Sequence, residues 1–195
     1  MLRLVRTSIL MTLVITVVFG FIYPFAMTGL SQVFFHEQAN GSLITHNGQV
    51  VGSALIGQSF TMPRYFHGRA SAASSTTSPN GYAADASGGT NLGPTSTKLL
   101  TTTVALAAQI RKEDGLPANY TLPSDAVSTS ASGLDPDISP AYAALQVARV
   151  AHARGLSQAR VRALVDHYTA GRDLGLFGAP RVNILKLNLA LDALK

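Results

Sequence analysis

A long stretch without a charged side chain, residues 7–35, most constrains what this chain can fold into. Its densest part, residues 7–30, contains 24 residues, which as an α-helix would span roughly 36 Å. The hydrocarbon core of a bilayer is about 30 Å thick, whereas the apolar region of a cleavable signal peptide has about 7–15 residues. The sequence "FAMTG" at residues 25–29 is also a poor cleavage site. We therefore predict a retained transmembrane helix over residues 7–30.

A proline and two glycines interrupt this apolar stretch. Pro24 has no backbone N–H, so it predicts a kink of the kind that membrane helices tolerate. Gly20 and Gly29 offer small surfaces against which a second helix can pack. The alternative is that all three are ordinary residues of a lipid-facing helix.

The basic residues around the span predict its orientation. Arg3 and Arg6 precede it, and the next Lys or Arg in the chain is Arg64. Because basic residues are enriched on the cytoplasmic side, residues 1–6 are predicted to be cytoplasmic and residues 36–195 extracytoplasmic. The expected location is the plasma (inner) membrane, crossed once, with the helix in contact with lipid.

Composition excludes several classes of site. Beyond residue 35 there are 13 Lys and Arg against 10 Asp and Glu, with no basic run of five, so nucleic-acid binding gains little support. The chain has no cysteine, which removes disulfides, thiolate zinc sites, iron–sulfur clusters and cysteine nucleophiles.

Local patterns predict a small sheet early in the outer region. Two β-prone runs flank Asn47-Gly48, a dipeptide typical of type I′ hairpin turns. A stretch rich in Ser, Thr, Gly and Ala follows at residues 71–97, and it has too few apolar residues to bury a face by itself. It is either disordered or draped over a partner.

Helical patterns dominate the rest. One helix is predicted over residues 97–115, and Ser139-Pro140 is expected to open a second that ends before Gly155. Ser157 caps a third, predicted to reach Ala170, and a fourth is expected within residues 180–195. The predicted fold class is an α+β extracytoplasmic domain, a small sheet plus about four helices, anchored by one N-terminal transmembrane helix.

A catalytic constellation is not apparent in the sequence. Five histidines are scattered along it, and there is no G-x-S-x-G motif. Asp135 is predicted to start a turn, and Asp137 to lie before a helix N-terminus, where negative charge is favourable. The alternative is an acidic spot that attracts cations, which the net positive charge of the outer region disfavours. We predict no catalytic residues, no metal site and no intrinsic cofactor.

The segment "SGGTNLGPTS" at residues 87–96 has the composition of a phosphate-binding loop. It lacks the in-register lysine of a Walker A motif, and it is not G-x-G-x-x-G. A structural or partner-contacting loop is therefore favoured, and nucleotide binding is the alternative. The residues in question are Ser87, Gly88, Gly89, Asn91, Gly93 and Ser96.

Five stretches in order resemble the KdpC family, the C subunit of the bacterial potassium-transporting P-type ATPase. They are "GSALIGQSF" (52–60), "YFHGRASA" (65–72), "SGGTNLGPTS" (87–96), "SGLDPDISPAYAALQVARVAHARGL" (132–156) and "GAPRVNILKLNLALD" (178–192). With the N-terminal span they cover nearly the whole chain. Three positions depart from the usual family pattern: Ala70 replaces Pro, Asp137 replaces His and Ala179 replaces Glu, so contacts made by those side chains are not carried over.

The resemblance implies a role in a complex. Its members are a channel-like potassium-binding subunit, a P-type ATPase pump subunit and a small fourth subunit. The C subunit is expected to support assembly and activity without hydrolysing ATP itself, with its outer domain over the extracytoplasmic mouth of the channel-like subunit. The alternative that the family suggests is a catalytic chaperone that raises the ATP affinity of the pump subunit, with the glycine-rich loop binding ATP.

The matching motifs also supply candidate contact residues. About half are expected only to hold the domain together; Asn183, for example, is also placed to cap the last helix. The candidates for partner contact or domain stabilisation, together with Asn91, are Gln58, Tyr65, Phe66, Arg69, Asp135, Arg181 and Asn183.

Overall fold

The structure is a computed structural model that describes residues 1–76, 78–79 and 81–194. The chain forms two compact units, Met1–Ile44 and Thr45–Lys195. The first unit is almost entirely helical. Its elements are α1 (Leu2–Val17), a π-helical turn (Val18–Ile22), α2 (Tyr23–Phe34) and the one-turn α3 (His36–Ala39).

The first unit contains a helix suited to crossing a membrane. By length and composition, Leu2–Phe34 could cross a bilayer, and its most apolar 18-residue stretch is not buried against other parts of the protein. The predicted span, residues 7–30, lies within it. The boundaries of the membrane segment and of the flanking regions remain predictions.

Pro24 explains the π-helical turn. A proline cannot donate to the carbonyl four residues earlier, and its ring crowds that carbonyl. The turn just before it widens, and the Tyr23 N–H instead bonds the Val18 carbonyl, five residues earlier. A single π turn is common where a helix ladder is interrupted, and the kink at Pro24 stays a prediction.

The remaining elements within the described residues are short strands, one single-turn helix and four longer helices. They are β1 (Leu43–His46), β2 (Gln49–Ser53), α4 (Thr97–Glu113), α5 (Ser124–Val127), β3 (Asp137–Ile138), α6 (Pro140–Arg154), α7 (Gln158–His167), β4 (Thr169–Ala170), β5 (Arg181–Asn183) and α8 (Ile184–Ala193). The predicted α+β class is confirmed.

The predicted turn and helix starts are confirmed. Asn47 and Gly48 both have positive φ, 52° and 78°, as a type I′ turn between β1 and β2 requires. The Oγ atoms of Ser96, Ser139 and Ser157 accept hydrogen bonds from the first turns of α4, α6 and α7. Each serine thus satisfies a backbone donor that the helix leaves unpaired.

One predicted helix end is wrong, because the residues assigned to the end of that helix belong to a second sheet. Helix α7 ends at His167 rather than Ala170, because Thr169 and Ala170 leave it to pair with Val182 and Arg181 of β5. Strand β3 pairs on the other side, giving the antiparallel order β3-β5-β4. Two- and three-residue strands carry too little periodicity to be recognised in sequence.

The core lies between helices α6, α7 and α8 and this small sheet. Helix periodicity predicts an apolar stripe on α6 formed by Ala143, Val147, Val150 and Ala151, and all four residues are buried. It belongs to one cluster with Val161 and Val165 of α7, Val182 of β5, Leu187 and Leu191 of α8, and Phe66 from the long loop before α4.

The segment rich in small residues is packed on its own unit. Ala70 pairs with Thr129 as an isolated bridge, and Ala73 and Ala83 are buried. Gly133 has φ +70°, and a Cβ there would lie 2.5 Å from the Ala73 Cβ, so this close approach requires glycine. The described residues of this segment are packed rather than disordered, and contact of the segment with a partner stays a prediction. Thr77 and Asn80 lie outside the described residues.

Candidate functional site

The glycine-rich loop is attached to its own unit at one end and exposed at the other. The Gly88 N–H and the Ser87 hydroxyl both donate to the Ser132 carbonyl, at 2.8 and 3.0 Å. A Cβ on Gly89 would lie 2.7 Å from the Ala131 carbonyl oxygen, so Gly89 permits this packing.

The exposed part of the loop does not depend on the other two glycines for its conformation. Within residues 87–96, Asn91 is the residue with positive φ, 52°, a conformation that asparagine tolerates. Gly88 and Gly93 have open space where a Cβ would be, and Ser96 caps α4. Contact of this loop with a nucleotide or a partner stays a prediction.

Arg69, which lies in the long connection between β2 and α4, is bonded to the segment that precedes α6. Its guanidinium forms an ion pair with Asp135 at 2.9 Å and also donates to the Ser128 hydroxyl and the Thr129 carbonyl. Its carbonyl accepts from the Tyr82 hydroxyl at 2.7 Å, and burial raises the pKa of Tyr82 to about 12. Among the described residues, the Arg69 Nε is a buried donor without a hydrogen-bond partner.

Asp135 starts the predicted turn, and Asp137 lies two residues before Ser139, the N-cap of α6, as predicted. The Asp135 carboxylate accepts from the Asp137 N–H at 3.0 Å. The acidic residue at the start of α6 is Asp125, which accepts from both the N–H and the hydroxyl of Ser139. Asp137 lies in β3 and is engaged elsewhere.

Asp137 contacts Arg181 and Asn183 of the neighbouring strand. The Asn183 amide donates to it at 3.1 Å and the Arg181 Nε lies 3.5 Å away. Burial raises the pKa of Asp137. The Asn183 side chain also donates to the Ala54 carbonyl and accepts from the Lys186 N–H, which confirms the predicted cap of α8.

The remaining candidates are also in contact with their own unit. The Tyr65 hydroxyl donates to Asp192 at 3.0 Å, and the Arg154 guanidinium lies 5.0 Å from the Tyr65 ring centre. Gln58 donates to the Val51 carbonyl at 2.7 Å, and Phe66 is fully buried. Which of the candidates also touch a partner stays a prediction.

Sequence reasoning missed two polar side chains inside the core. The Asn188 amide donates to the Phe66 carbonyl and accepts from the Phe66 N–H. The Gln146 amide makes the same pair of bonds with His67. In the sequence, both residues fall on the apolar faces of their helices, α6 and α8. An amide side chain at such a position must find hydrogen-bond partners inside the core, and this was the signal that could have identified them.

A buried ion pair lies beside them. Arg149 and Asp114 are 2.8 Å apart with both side chains almost fully buried. Arg149 also donates to the Pro63 and Tyr65 carbonyls, so it holds the turn before Phe66 against α6. Burial raises the pKa of Asp114, opposed by its hydrogen bond with Arg149.

A cleft of about 230 Å³ lies beside His67, and its walls carry positive, negative and neutral polar side chains. In the described part of the chain, no three His, Cys, Asp or Glu side chains group as metal ligands. Residues lining the cleft include His67, Arg69, Tyr82, Gln109, Glu113 and Tyr142.

The His67 side chain provides a test of the electrostatics at the cleft. Burial, and secondarily the Arg149 charge, lower its pKa below 6.5, so protonation is easier in the unfolded chain. The stability that His67 contributes is present above pH 6.5 and is lost as the pH falls through its folded-state value. In the His67→Gln variant we expect the free energy of unfolding to fall less between pH 7.5 and 5 than in the parent, measured by urea titration of the full chain in detergent. Parallel pH profiles of the two proteins would contradict this.

The two glycines of the N-terminal apolar helix lie on an exposed surface. The space where a Cβ of Gly29 would stand is open, and the nearest atom at Gly20 is the Thr16 Cγ2, 3.8 Å away. Both positions therefore leave room for a neighbouring helix. Packing of such a helix there stays a prediction.

Comparison with known proteins places the whole chain in one family. Residues 5–193 match the family model described as KdpC, K+-transporting ATPase, c chain. A relative from Koribacter versatilis is 52% identical over 95% of this chain and 92% of its own length. Relatives from Gemmatimonas aurantiaca and Mycobacterium tuberculosis are 52% and 50% identical over 100% and 98% of this chain, and 94% and 99% of their own length. All three carry the name "Potassium-transporting ATPase KdpC subunit". The chain belongs to the KdpC family of potassium-transporting ATPase subunits.

Proposed function

We propose that the chain is a non-catalytic accessory subunit of an ATP-driven potassium uptake pump, needed for assembly and coupling of the complex. The observation that carries this is the match along the whole chain to subunits named for that ATPase. ATP hydrolysis then belongs to a P-type pump subunit. The other partners are a channel-like potassium-binding subunit and a small fourth subunit.

Charge distribution supports an extracytoplasmic location for the second unit. Arg3 and Arg6 precede the apolar helix, and no basic residue follows until Arg64. This asymmetry is typical of a cytoplasmic N-terminus. The second unit would then stand at the potassium access side of the pump. A tag at the C-terminus should react with membrane-impermeant reagents in intact cells.

The internal bonding of the second unit supports a structural role. The polar side chains of the shared motifs bind each other or the backbone: Arg69 binds Asp135, Asn183 binds Asp137, and Tyr65 binds Asp192. Such contacts make a rigid body that can brace a partner.

An influence on ATP affinity does not require the glycine-rich loop to hold ATP. A subunit that binds one conformation of the pump more tightly favours that conformation, and ligand affinity changes through linkage. Under this proposal the isolated chain shows no saturable ATP binding in calorimetry. Saturable binding that is lost in Gly88→Val would favour the direct alternative.

Deleting residues 1–35 tests the accessory role. We expect the truncated chain to stop co-purifying with the pump subunits, because the membrane helix supplies the intramembrane contact and the local concentration. Affinity purification from membranes and potassium-stimulated ATPase activity are the measurements.

A matched control separates anchoring from specific contact. A chimera with an unrelated single-span helix keeps the second unit at the membrane but removes the native helix surface. Full transport with the truncated soluble unit alone would contradict the proposal.

A further inference from the structure

Between strands β4 and β5 the chain exposes three large apolar side chains at the end of a tight loop. Leu174, Leu176 and Phe177, here called the apolar tip, are 89%, 75% and 65% exposed. Single exposed apolar residues are ordinary, but a contiguous group marks an interaction site. All three side chains lie mostly in solvent.

The loop holds the apolar tip outward in a fixed shape. The Asp173 and Phe177 backbones exchange two hydrogen bonds of 2.9 Å, which close the loop. Arg181 clamps the base, donating to both Asp173 carboxylate oxygens at 3.1 and 3.3 Å. The tip is therefore preorganised, and a partner that binds it pays little ordering entropy.

The backbone of Leu174, within the apolar tip, is strained. Its φ is 53°, in the left-handed region, which costs a branched side chain of this kind on the order of 1 kcal/mol. Glycine would fit that conformation without strain. An exposed leucine at this position therefore carries a backbone cost that glycine would avoid.

We propose that the apolar tip docks into an apolar socket on another subunit of the same membrane ATPase. This rests on the proposed function as a subunit of that complex. The tip offers on the order of 400 Å² of apolar surface, about half of the roughly 800 Å² per partner that a stable interface buries. The area is too small to hold a second copy of the chain in solution.

A small interface suits a partner that is already nearby. Once a membrane helix confines a subunit to its complex, the second contact forms at high effective concentration and needs little area. A bilayer is a poorer occupant, because the Asp173 carboxylate, 66% exposed, lies directly beside the tip and inserting it among lipid would cost free energy. A protein socket can instead offer hydrogen-bond donors to it.

The first experiment uses the full chain in its complex with two variants of the tip. Leu176→Asp is expected to lower the amount of other subunits retained after dilution at least tenfold, because a buried anchor is replaced by a charge. Leu174→Gly removes a tip side chain at a position where the backbone favours glycine, and a several-fold loss is expected with unchanged melting of the chain. The matched control is Leu55→Asp, another exposed leucine (61%) outside the tip, which should retain the subunits.

A photo-crosslinker in place of Phe177 identifies the occupant directly. A crosslink to another subunit supports the proposal; a crosslink only to lipid or to a second copy, or none at all, overturns it. Failure of the proposed function would appear differently, as a parent chain that does not co-purify at all. If the parent and both tip variants are retained equally, the docking proposal alone fails.

Discussion

Replacing Arg149 by methionine is expected to lower the free energy of unfolding by about 3–5 kcal/mol at pH 7. The substitution leaves the Asp114 carboxylate buried without its partner, which had been 2.8 Å away. It also removes the hydrogen bonds to the Pro63 and Tyr65 carbonyls. Urea denaturation of the full chain in detergent measures the loss.

The pH dependence of the Arg149→Met variant distinguishes an unpaired charge from a simple packing defect. Burial already raises the pKa of Asp114 above 3.8 in the parent, and Arg149 opposes that shift. Without Arg149 the pKa rises further, so the folded variant binds a proton that the unfolded chain has released. Its stability is then lost as the pH rises through that range, and the deficit against the parent should be smaller at pH 5 than at pH 7.

The Asp114→Asn change provides the control. In the double variant the buried charge is gone, so its loss should be smaller than the sum of the two single losses by about 1 kcal/mol or more. A deficit independent of pH together with additive losses would contradict a buried ion pair.

Replacing Asn188 by leucine is expected to cost about 3 kcal/mol, although leucine has a similar volume and is more apolar. The Asn188 amide bonds both the N–H and the carbonyl of Phe66. Leucine leaves both backbone groups buried and unsatisfied, at about 1–3 kcal/mol each. Thermal melting and urea denaturation of the full chain measure the loss.

Asn119 offers a matched control for this substitution. It is exposed in the connection between α4 and α5, so Asn119→Leu should change stability by less than about 0.5 kcal/mol. If Asn188→Leu changed the stability as little as Asn119→Leu, the Phe66 backbone groups would have found other hydrogen-bond partners. The Asn188 amide would then not be required to hold the Phe66 backbone in place.

The elements that were predicted correctly carry strong local chemistry. Asn47-Gly48 fixes its turn through positive φ, and Ser139-Pro140 fixes a helix start through a side-chain oxygen and a preset φ. These signals act over four or five residues, so they can be recognised without knowing what packs against them. The α6 stripe is similar, because helix periodicity alone places Val147 and Val150 on one face.

What could not be predicted depends on residues far apart in sequence. Thr169 leaves its helix because β5 offers a partner, and nothing within α7 indicates that choice. The contact of Asp125 with the start of α6 was not predicted, because Asp125 reaches Ser139 across a loop. The hydrogen bonds of the buried Asn188 and Gln146 side chains with the backbone of residues 66 and 67 likewise become visible only in three dimensions.

The contact between Asn188 and Phe66 joins residues 122 positions apart, and it has a consequence for biosynthesis. The core is sealed by α8, which follows in sequence all the other core elements, so most of the domain is synthesised before its apolar face can be covered. Contacts of such long range also close slowly. The emerging polypeptide is therefore open to aggregation and proteolysis until α8 has been synthesised, and a nonsense mutation just before α8 should yield a protein that is degraded rather than a shortened, working one.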